Sequence, residues 1–544
     1  MENLKKLMNR ILSTSLLVLL TISLQAQEPP KNWFNLDPVS DQFNGVSTEK
    51  AYAELLAGKT SQKIIVAVID SGIDIEHEDL REVVWINEDE IPNNGIDDDN
   101  NGYIDDIYGW NFIGGKDGTN VDKDTYEITR EYKRLRPIYE GKTIDDFKKK
   151  ERAGFEYWKE VEETFNRVAG EAKSQSMMLG NIDRQLRRFK KLFEAYMYTD
   201  EVTYEMVQQV QSTDQTILMG KDMLTQLYTM IDTTMSLEVM IDLLAQDMEQ
   251  VAQDADFRYN LDFEPRSIVG DNYDQLDELG YGNNDVIGTG TDNFHGTHVA
   301  GIIAAKRGNN IGIDGVADNV AIMAIRAVPD GDERDKDVAN AIRYAVDNGA
   351  QVINMSFGKA YSPNTEYVYD AITYANDRGV LLVHAAGNGA ANNDEEANFP
   401  NDYIGRKKTM SNWIEVGASS WGSENNYIGN FSNYGKKNVD LFAPGVKIYS
   451  LAPENEYQDA QGTSMASPVT AGVAALLLSY YPELSADQVK DILMKSVRSL
   501  SNLTVSQPGT GEEVLFQDLS VSGGIVNAYE AIKLAESLTM KKGR

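Results

Sequence analysis

Residues 461–468 read Gln-Gly-Thr-Ser-Met-Ala-Ser-Pro and lead into a mostly apolar run that extends to Leu478. Small residues before a long apolar segment predict a loop that enters a buried helix. Pro468 is expected in the first helical turn, where its missing N–H costs nothing. Ser464 is then expected at the helix N-terminus, where free N–H groups favour developing negative charge. The serine is either a nucleophile or a residue that only caps the helix.

The C-terminal half of the chain alternates apolar runs with helical patterns. Strands are predicted at 64–69, 320–328, 352–358, 380–386, 413–418 and 439–443, and helices at 337–348 and 365–377. Continuous apolar runs are typical of parallel strands that are buried on both faces. The fold class predicted is therefore α/β, with a mostly parallel sheet flanked by helices and right-handed crossovers.

Composition restricts the class of protein. The chain has 544 residues, which suggests one large domain and an additional part. It has no cysteine, so disulfides and thiol chemistry are excluded. Lysine and arginine number 51 against 85 acidic residues, a net charge of -34. That balance disfavours nucleic-acid partners and suits an exported protein or one that binds cations.

The N-terminus has the pattern of a signal peptide over residues 1–26. Basic residues, including Lys5 and Arg10, precede the apolar segment 11–24, and Leu-Gln-Ala at 24–26 is a plausible cleavage site. The alternative is an uncleaved anchor, but the apolar segment is shorter than the ~20 residues that a span needs. We expect a secreted or periplasmic protein with no membrane span after signal removal.

Residues 125–255 differ in character from the rest. Glycine is scarce there, and apolar residues recur at helical spacing, with one stripe at 158–168 and another at 182–196. This pattern predicts an all-α insertion of three or four amphipathic helices. The peptide on either side, 27–124 and 256–544, is predicted to form one domain.

An acidic loop at 93–106 predicts a structural calcium site. Alternating oxygen-bearing residues precede Gly102, which falls where an EF-hand loop needs its sharp turn. The glutamate expected at the twelfth position is replaced by Tyr108, and the alternative is a solvated acidic turn. The predicted ligands are Asp97, Asp99, Asn101 and Asp105, with Asp106 as the alternative to Asp105.

Three further polar residues lie at the ends of predicted strands or loops. Asp70 follows the first strand, Asn388 follows another, and His295 is one of four histidines. Each has an alternative: Asp70 and Asn388 could be turn residues, and His295 could share a metal with His298. With Ser464 they supply an orienting carboxylate, a base, an oxyanion donor and a nucleophile. The chain order Asp, His, Ser is one of several in which this triad occurs.

Four segments carry a resemblance to a known family. They are Val-Ile-Asp-Ser-Gly at 68–72, His-Gly-Thr-His-Val-Ala-Gly at 295–301, Ala-Ala-Gly-Asn at 385–388 and Gly-Thr-Ser-Met-Ala-Ser-Pro at 462–468. They resemble the subtilisin-like serine proteases, and the resemblance covers about 45–120 and 256–535. It implies the following site residues: Asp70, His295 and Ser464 as the triad, Asn388 as oxyanion donor, and His298 as a structural residue.

The resemblance also implies a substrate-binding segment. Met355, Ser356, Phe357 and Gly358 are expected to form an edge strand that pairs with extended substrate backbone, and Gly387 is expected to contact substrate. The family usually has leucine at the position of Phe357. Protein or peptide substrates are the partners that this assignment implies.

The predicted function is peptide-bond hydrolysis by an exported serine endopeptidase through an acyl-enzyme. The alternative is a catalytically silent fold that serves as a binding or regulatory module through its helical insertion. The insertion itself is interpreted in three ways: a lid or docking domain, a folding aid, or a passive decoration.

Overall fold

The computed structural model describes residues 28–230, 233–288, 293–403, 410–422 and 426–542. They form two compact units, a sheet unit of residues 29–131 and from 263 onward, and a helical unit of residues 132–262. The domain bounds given above, with the insertion at 125–255, stay a prediction. The predicted signal peptide, 1–26, lies outside the described residues.

Within the described residues, the sheet unit has thirteen strands, nine of them in one main sheet and four in two small two-stranded sheets. The strands of the unit are β1 (Ile64–Asp70), β2 (Gly109–Asn111), β3 (Val320–Arg326), β4 (Val352–Met355), β5 (Leu381–Ala385), β6 (Trp413–Ser419), β7 (Leu441–Pro444), β8 (Ile448–Ala452), β9 (Glu456–Ala460), β10 (Arg498–Ser499), β11 (Thr504–Ser506), β12 (Glu513–Leu515) and β13 (Gly524–Ile525). The main sheet has the order β10-β13-β7-β6-β5-β4-β1-β3-β2, and all neighbours except β10 and β13 are parallel. The predicted mostly parallel sheet is confirmed.

The helices of the described chain are α1 (Thr48–Ala51), α2 (Glu127–Tyr139), α3 (Arg152–Met197), α4 (Tyr204–Gln209), α5 (Gln215–Met230), α6 (Leu237–Gln253), α7 (Phe294–Ala304), α8 (Asp335–Asp347), α9 (Thr365–Asp377), α10 (Thr463–Tyr480), α11 (Ala486–Lys495) and α12 (Ala528–Lys542). Helices α7 to α12, which belong to the sheet unit, cover both faces of the sheet. In β1, Val66 and Val68 pack with α7, α10, α11 and α12, whereas Ala67 and Ile69 pack with α8 and α9. Because successive side chains of a strand point to opposite faces, one apolar run supplies two cores.

Helix α10 is the centre of one of these cores. Almost all of its residues are buried, and it packs on α7 and on strands β4 to β7. It is also long and apolar enough to cross a membrane, but 89% of that segment is buried inside the protein. We therefore assign it as a core helix.

The segment before β1 contributes side chains to the core of the sheet unit. Trp33, Phe34 and Val46 are buried in the same core as α10. The Trp33 indole donates to the carbonyl of Lys447 at 3.0 Å. This contact joins residues 414 positions apart, so no local pattern predicts it.

The helical unit has its own apolar packing. Helix α3 is 46 residues long, about 69 Å at 1.5 Å per residue. Near its start, Trp158 and Phe165 pack on Tyr132, and near its end Phe189 and Phe193 enter a core with α5 and α6. Both predicted stripes thus lie on one continuous helix, which contains no proline and continues through Gly170 and Gly180.

Candidate active site

Asp70 is the last residue of β1 and is 2% exposed. Its Oδ1 accepts hydrogen bonds from the backbone N–H of Ser71 at 2.8 Å and from Nδ1–H of His295 at 2.7 Å. The first bond holds the carboxylate, and the second orients the imidazole so that its Nε2 is left for another partner. Residues 225 positions apart in the chain thus meet at the carboxyl edge of the parallel sheet.

Gly296 explains why the two residues can come so close. A Cβ atom at this position would lie 2.2 Å from the carbonyl oxygen of Gly72 and 3.1 Å from Cβ of Asp70. Any side chain larger than hydrogen would therefore push the start of α7 away from the end of β1. The glycine that follows His295 is a packing requirement of the Asp70–His295 contact.

The environment of His295 favours its protonated form. Removal of the ring from water opposes the charge, but the charge and the hydrogen bond of Asp70 outweigh that effect and raise the pKa of His295. The side chain remains 38% exposed. It can therefore still reach a substrate or a neighbouring hydroxyl.

His298, one turn further along α7, has a different role. It is fully buried, and its Nε2 lies 3.1 Å from the carbonyl oxygens of both Ile448 and Gln458. Burial lowers its pKa to about 4. The two histidines have separate partners, so the geometry favours the structural interpretation of His298 over a shared metal.

Ser464 is the second residue of α10, as its sequence context predicts. Its Oγ donates to the carbonyl of Ser356 at 3.1 Å, and Oγ of Ser356 donates to the carbonyl of Ser464 at 2.9 Å. Among the described residues, no hydrogen bond joins Ser464 Oγ to His295 in this state. Catalytic hydrogen bonds often tighten only when substrate is bound.

The predicted place of Pro468 in the first helical turn is wrong. The helix begins at Thr463, so Pro468 lies in its second turn. Because proline has no N–H, the carbonyl of Ser464 four residues earlier has no helical partner. The hydroxyl of Ser356 donates to this carbonyl instead. The bond connects the nucleophile candidate to the residue that follows β4.

Asn388 is held so that its amide N–H groups remain available. Its Oδ1 accepts from the backbone N–H of Thr463 at 2.8 Å and from the Thr463 hydroxyl at 3.1 Å. A Cβ built on Gly462 would lie 3.4 Å from Asn388 Nδ2 and 3.5 Å from the backbone nitrogen of Ser464. Two donors therefore surround one point beside Ser464, and a residue without a side chain at 462 leaves that point free.

The predicted edge strand at Met355–Gly358 is wrong. Strand β4 lies inside the sheet between β5 and β1 and ends at Met355, which is fully buried. Ladder bonds on both sides occupy the backbone of a central strand. Ser356, Phe357 and Gly358 follow its last paired residue and lie outside these ladders, so their role in binding substrate stays a prediction.

The acidic loop brings together a set of carboxylates that differs from the predicted one. Oxygens of Glu90, Asp99 and Asp106 lie within 4.8 Å of one another. The Asn101 amide bridges Asp99 and Asp106, at 3.0 and 3.1 Å. Burial raises the pKa of Asp106 to about 6, because its charged form is removed from water.

The other two predicted ligands serve the loop itself. Asp97 accepts from the backbone N–H groups of Asn101 and Gly102. Asp105 accepts from those of Asn94 and Gly95 with its two oxygens. Asp106 was within reach of the pattern, but Glu90 lies before the loop and no spacing rule points to it.

The comparison with protein families settles the class of this chain. The model of the subtilase family matches residues 61–511.

The chain belongs to the subtilase family. It is therefore classed with the serine-type endopeptidases. It is 38% identical over 211 residues to subtilisin DY of Bacillus licheniformis, an alignment that covers 39% of this chain and 72% of that protein.

Two further alignments cover a smaller share of the matched protein. The chain is 44% identical over 189 residues to a thermophilic serine proteinase of Bacillus sp. (strain AK1), which is 34% of this subtilase and 43% of that relative. Thus the chain spans less than half the length of that relative. A solved protease structure from Pseudoalteromonas arctica PAMC 21717 matches with 30% identity and a TM-score of 0.37, over 44% of this chain and 70% of that one.

Sequence reasoning missed part of the surroundings of Ser464 in this subtilase. Asn354, fully buried in β4, donates to Oγ of Ser356 at 2.9 Å and accepts from Ser467 at 2.8 Å. This chain of hydrogen bonds links β4 to the first turns of α10. A buried asparagine within an apolar strand was the available signal, because a buried amide needs partners.

Proposed function

We propose that this subtilase is an exported serine endopeptidase that hydrolyses peptide bonds in proteins and peptides. The observation that carries the proposal is the 2.7 Å hydrogen bond between Asp70 and His295. It forms at the sheet edge where α7 packs on α10, whose second residue is Ser464. An orienting carboxylate, a base and a hydroxyl on a helix N-terminus are the parts that acyl transfer needs.

The reaction begins when a substrate carbonyl reaches Ser464. Its Oγ leaves the Ser356 carbonyl, transfers its proton to Nε2 of His295 and attacks the carbonyl carbon. Asp70 keeps the proton of the imidazole on Nδ1 and stabilises the imidazolium that forms. His295 then gives the proton to the leaving amine, and water releases the acyl group from Ser464 by the same steps.

The tetrahedral intermediates carry a negative oxygen that needs donors. Nδ2–H of Asn388 and the backbone N–H of Ser464 are proposed to bind it. Their approach to a common point beside Gly462 supports this assignment. The N-terminal end of α10 adds a favourable field for the same charge.

Replacement of Ser464 by alanine tests the proposal directly. Casein cleavage by Ser464→Ala is expected to fall by about 10⁶ or to the detection limit, because the nucleophile is lost. The matched control is Ser479→Ala, on the same helix, whose hydroxyl donates to the carbonyl of Leu476 at 3.2 Å. Cleavage by Ser464→Ala at the wild-type rate would refute the assignment.

Labelling by a fluorophosphonate distinguishes an active enzyme from a silent binding module. Covalent labelling of the wild type at Ser464, absent in Ser464→Ala, is expected for an activated serine. No labelling of the wild type under any tested condition would favour the silent fold.

We further propose a structural calcium ion at the acidic loop. Glu90, Asp99 and Asp106 would hold it, with Asn101 beside them, and carboxylate and amide oxygens are the donors that calcium takes. The residues fit a divalent cation, since three carboxylates within 4.8 Å repel one another without one. The ion would neutralise that charge and stabilise the loop.

Export and the role of the helical unit also stay proposals. The basic and apolar N-terminal pattern supports export to the periplasm or the medium. The separate apolar core of residues 132–262 supports a part with its own task, such as docking of protein substrates.

A further inference from the structure

The oxyanion donor candidate lies in a loop that has little regular structure to support it. Residues 386–391 follow β5 without forming helix or strand. Gly387 and Ala390 both have positive φ, 108° and 52°. For alanine this conformation is uncommon and must be imposed by surrounding contacts.

One side chain outside the loop supplies many of those contacts. Oδ1 of Asn433 accepts from the backbone N–H groups of Gly389 and Ala391, each at 2.9 Å. Its Nδ2 donates to the carbonyl of Ala386 at 2.9 Å and to Oδ1 of Asn393 at 3.0 Å. The full hydrogen-bonding capacity of the amide is thus used.

The main chain beside Asn433 adds to the same support. Its backbone N–H donates to the carbonyl of Gly387 at 2.8 Å. The bonded groups lie on both sides of Asn388 and close to it in sequence. With 7% of its surface exposed, Asn433 is largely shielded from water that would compete for these bonds.

Asn433 is itself fixed to the main sheet. The hydroxyl of Ser432 donates to the carbonyl of Asn433 at 2.8 Å and accepts from the backbone N–H of Ala418 at 2.9 Å. Ala418 belongs to β6. Ser432 and Asn433 therefore connect the loop to a strand inside the main sheet by hydrogen bonds.

We propose that Asn433 is a positioning residue for the oxyanion site and acts through Asn388. The inference rests on the proposed function. Asn433 fixes the peptide groups on both sides of Asn388, while the backbone N–H of Thr463 donates to the side-chain Oδ1 of Asn388. Together these contacts place Nδ2 of Asn388 where negative charge develops, so that no reorganisation is needed during the reaction.

The test measures kcat and KM separately in the full chain. Asn433→Ala is expected to lower kcat by about ten- to a hundredfold, since small misplacement of a catalytic group has effects of that size. KM should stay within about twofold, because the interaction matters mainly in the transition state. A similar loss should appear in the affinity for a peptide aldehyde, which forms an oxyanion.

A double-mutant cycle then asks whether Asn433 acts through Asn388. Once Asn388→Ala has removed the donor, the added Asn433→Ala change should cost almost nothing further. Losses that multiply in the double variant would overturn the inference, as would an unchanged kcat in Asn433→Ala. If the alanine variant does not fold, Asn433→Ser carries the same cycle, because its hydroxyl can still accept one of the two N–H groups.

Asn412→Ala is the matched control for a general loss of structure. Asn412 is fully buried, and its amide donates to the carbonyl of Val380 at 2.8 Å, at the opposite end of β5. It should lower the melting temperature and leave kcat unchanged. An equal fall in kcat in the control would overturn the positioning role, whereas a wild type without turnover or labelling would overturn the proposed function as well.

Discussion

His295 connects the geometry of the site to a pH dependence. Only the neutral imidazole can accept the proton of Ser464, so activity is expected to be lost as the pH falls through the pKa of His295. Asp70 raises that pKa, so the acid limb of the kcat/KM profile lies higher than for an isolated histidine, ~6.5.

The Asp70→Asn variant tests this link. Loss of the carboxylate charge should move the acid limb to lower pH. It should also lower kcat near neutral pH by about 10⁴, because the amide no longer selects the tautomer with the proton on Nδ1. The measurement is the pH profile of kcat/KM for a short peptide. Asp79→Asn is the control, since that buried carboxylate contacts Asn309 and Ile313. An acid limb that does not move would contradict the role of Asp70.

At the scale of elements, the predictions succeed where a single face or period decides the structure. The apolar run before Asp70 becomes β1, and the strands at 320 and 413 begin where they are predicted. The run at 352–358 is shorter in the structure, because its last three residues extend beyond the paired part of the sheet. The periodicity of an apolar segment does not show which of its residues pair with neighbouring strands.

The acidic loop allows a prediction about stability. Removal of calcium by EDTA is expected to lower the melting temperature by several degrees. Calcium at a concentration a hundredfold above its Kd stabilises the folded state by about 2.7 kcal/mol. Each kcal/mol shifts the melting temperature by ~2–4 °C in domains of 150–250 residues. Differential scanning calorimetry with EDTA and with added calcium measures the shift.

Variants of the loop separate calcium from general charge effects. Asp99→Asn should reduce the response to EDTA, because it removes one of the three grouped carboxylates. Asp117→Asn, at a carboxylate bound to Thr119 outside the group, should keep the full response. A melting temperature that does not change with EDTA in the wild type would retire the calcium proposal.

For the whole molecule, the two units have distinct apolar cores. The sheet unit is built on the cores around α10 and α8, and the helical unit on residues such as Phe189 and Phe193. Units with separate cores can in principle fold independently. Long insertions in surface loops also cost little entropy, since the cost grows only with the logarithm of length.

Deletion of residues 132–262, with a short glycine-serine linker in their place, tests this organisation. We expect the sheet unit to fold and to cleave short peptides at a rate close to that of the intact chain. A docking role of the helical unit predicts a selective loss of casein cleavage, measured as the ratio of the two rates. Unchanged cleavage of both substrates would leave the unit without a part in turnover, and loss of peptide cleavage in a folded variant would contradict the independence of the site.

The sequence by itself determined the identity of the chemical groups and the class of the fold. Strand periodicity, the small residues before α10 and the motifs around Asp70, His295, Asn388 and Ser464 are local features, and local rules describe them.

Only the tertiary structure decided which of these groups meet and what holds them. Asp70 meets His295 because Gly296 has no side chain to keep them apart. The Ser464 carbonyl, which Pro468 leaves without a helical partner, accepts from Ser356. Glu90 lies with two carboxylates of the acidic loop. The physical reason is that these contacts join residues far apart in the chain, and their geometry follows from the packing of the sheet and helices together.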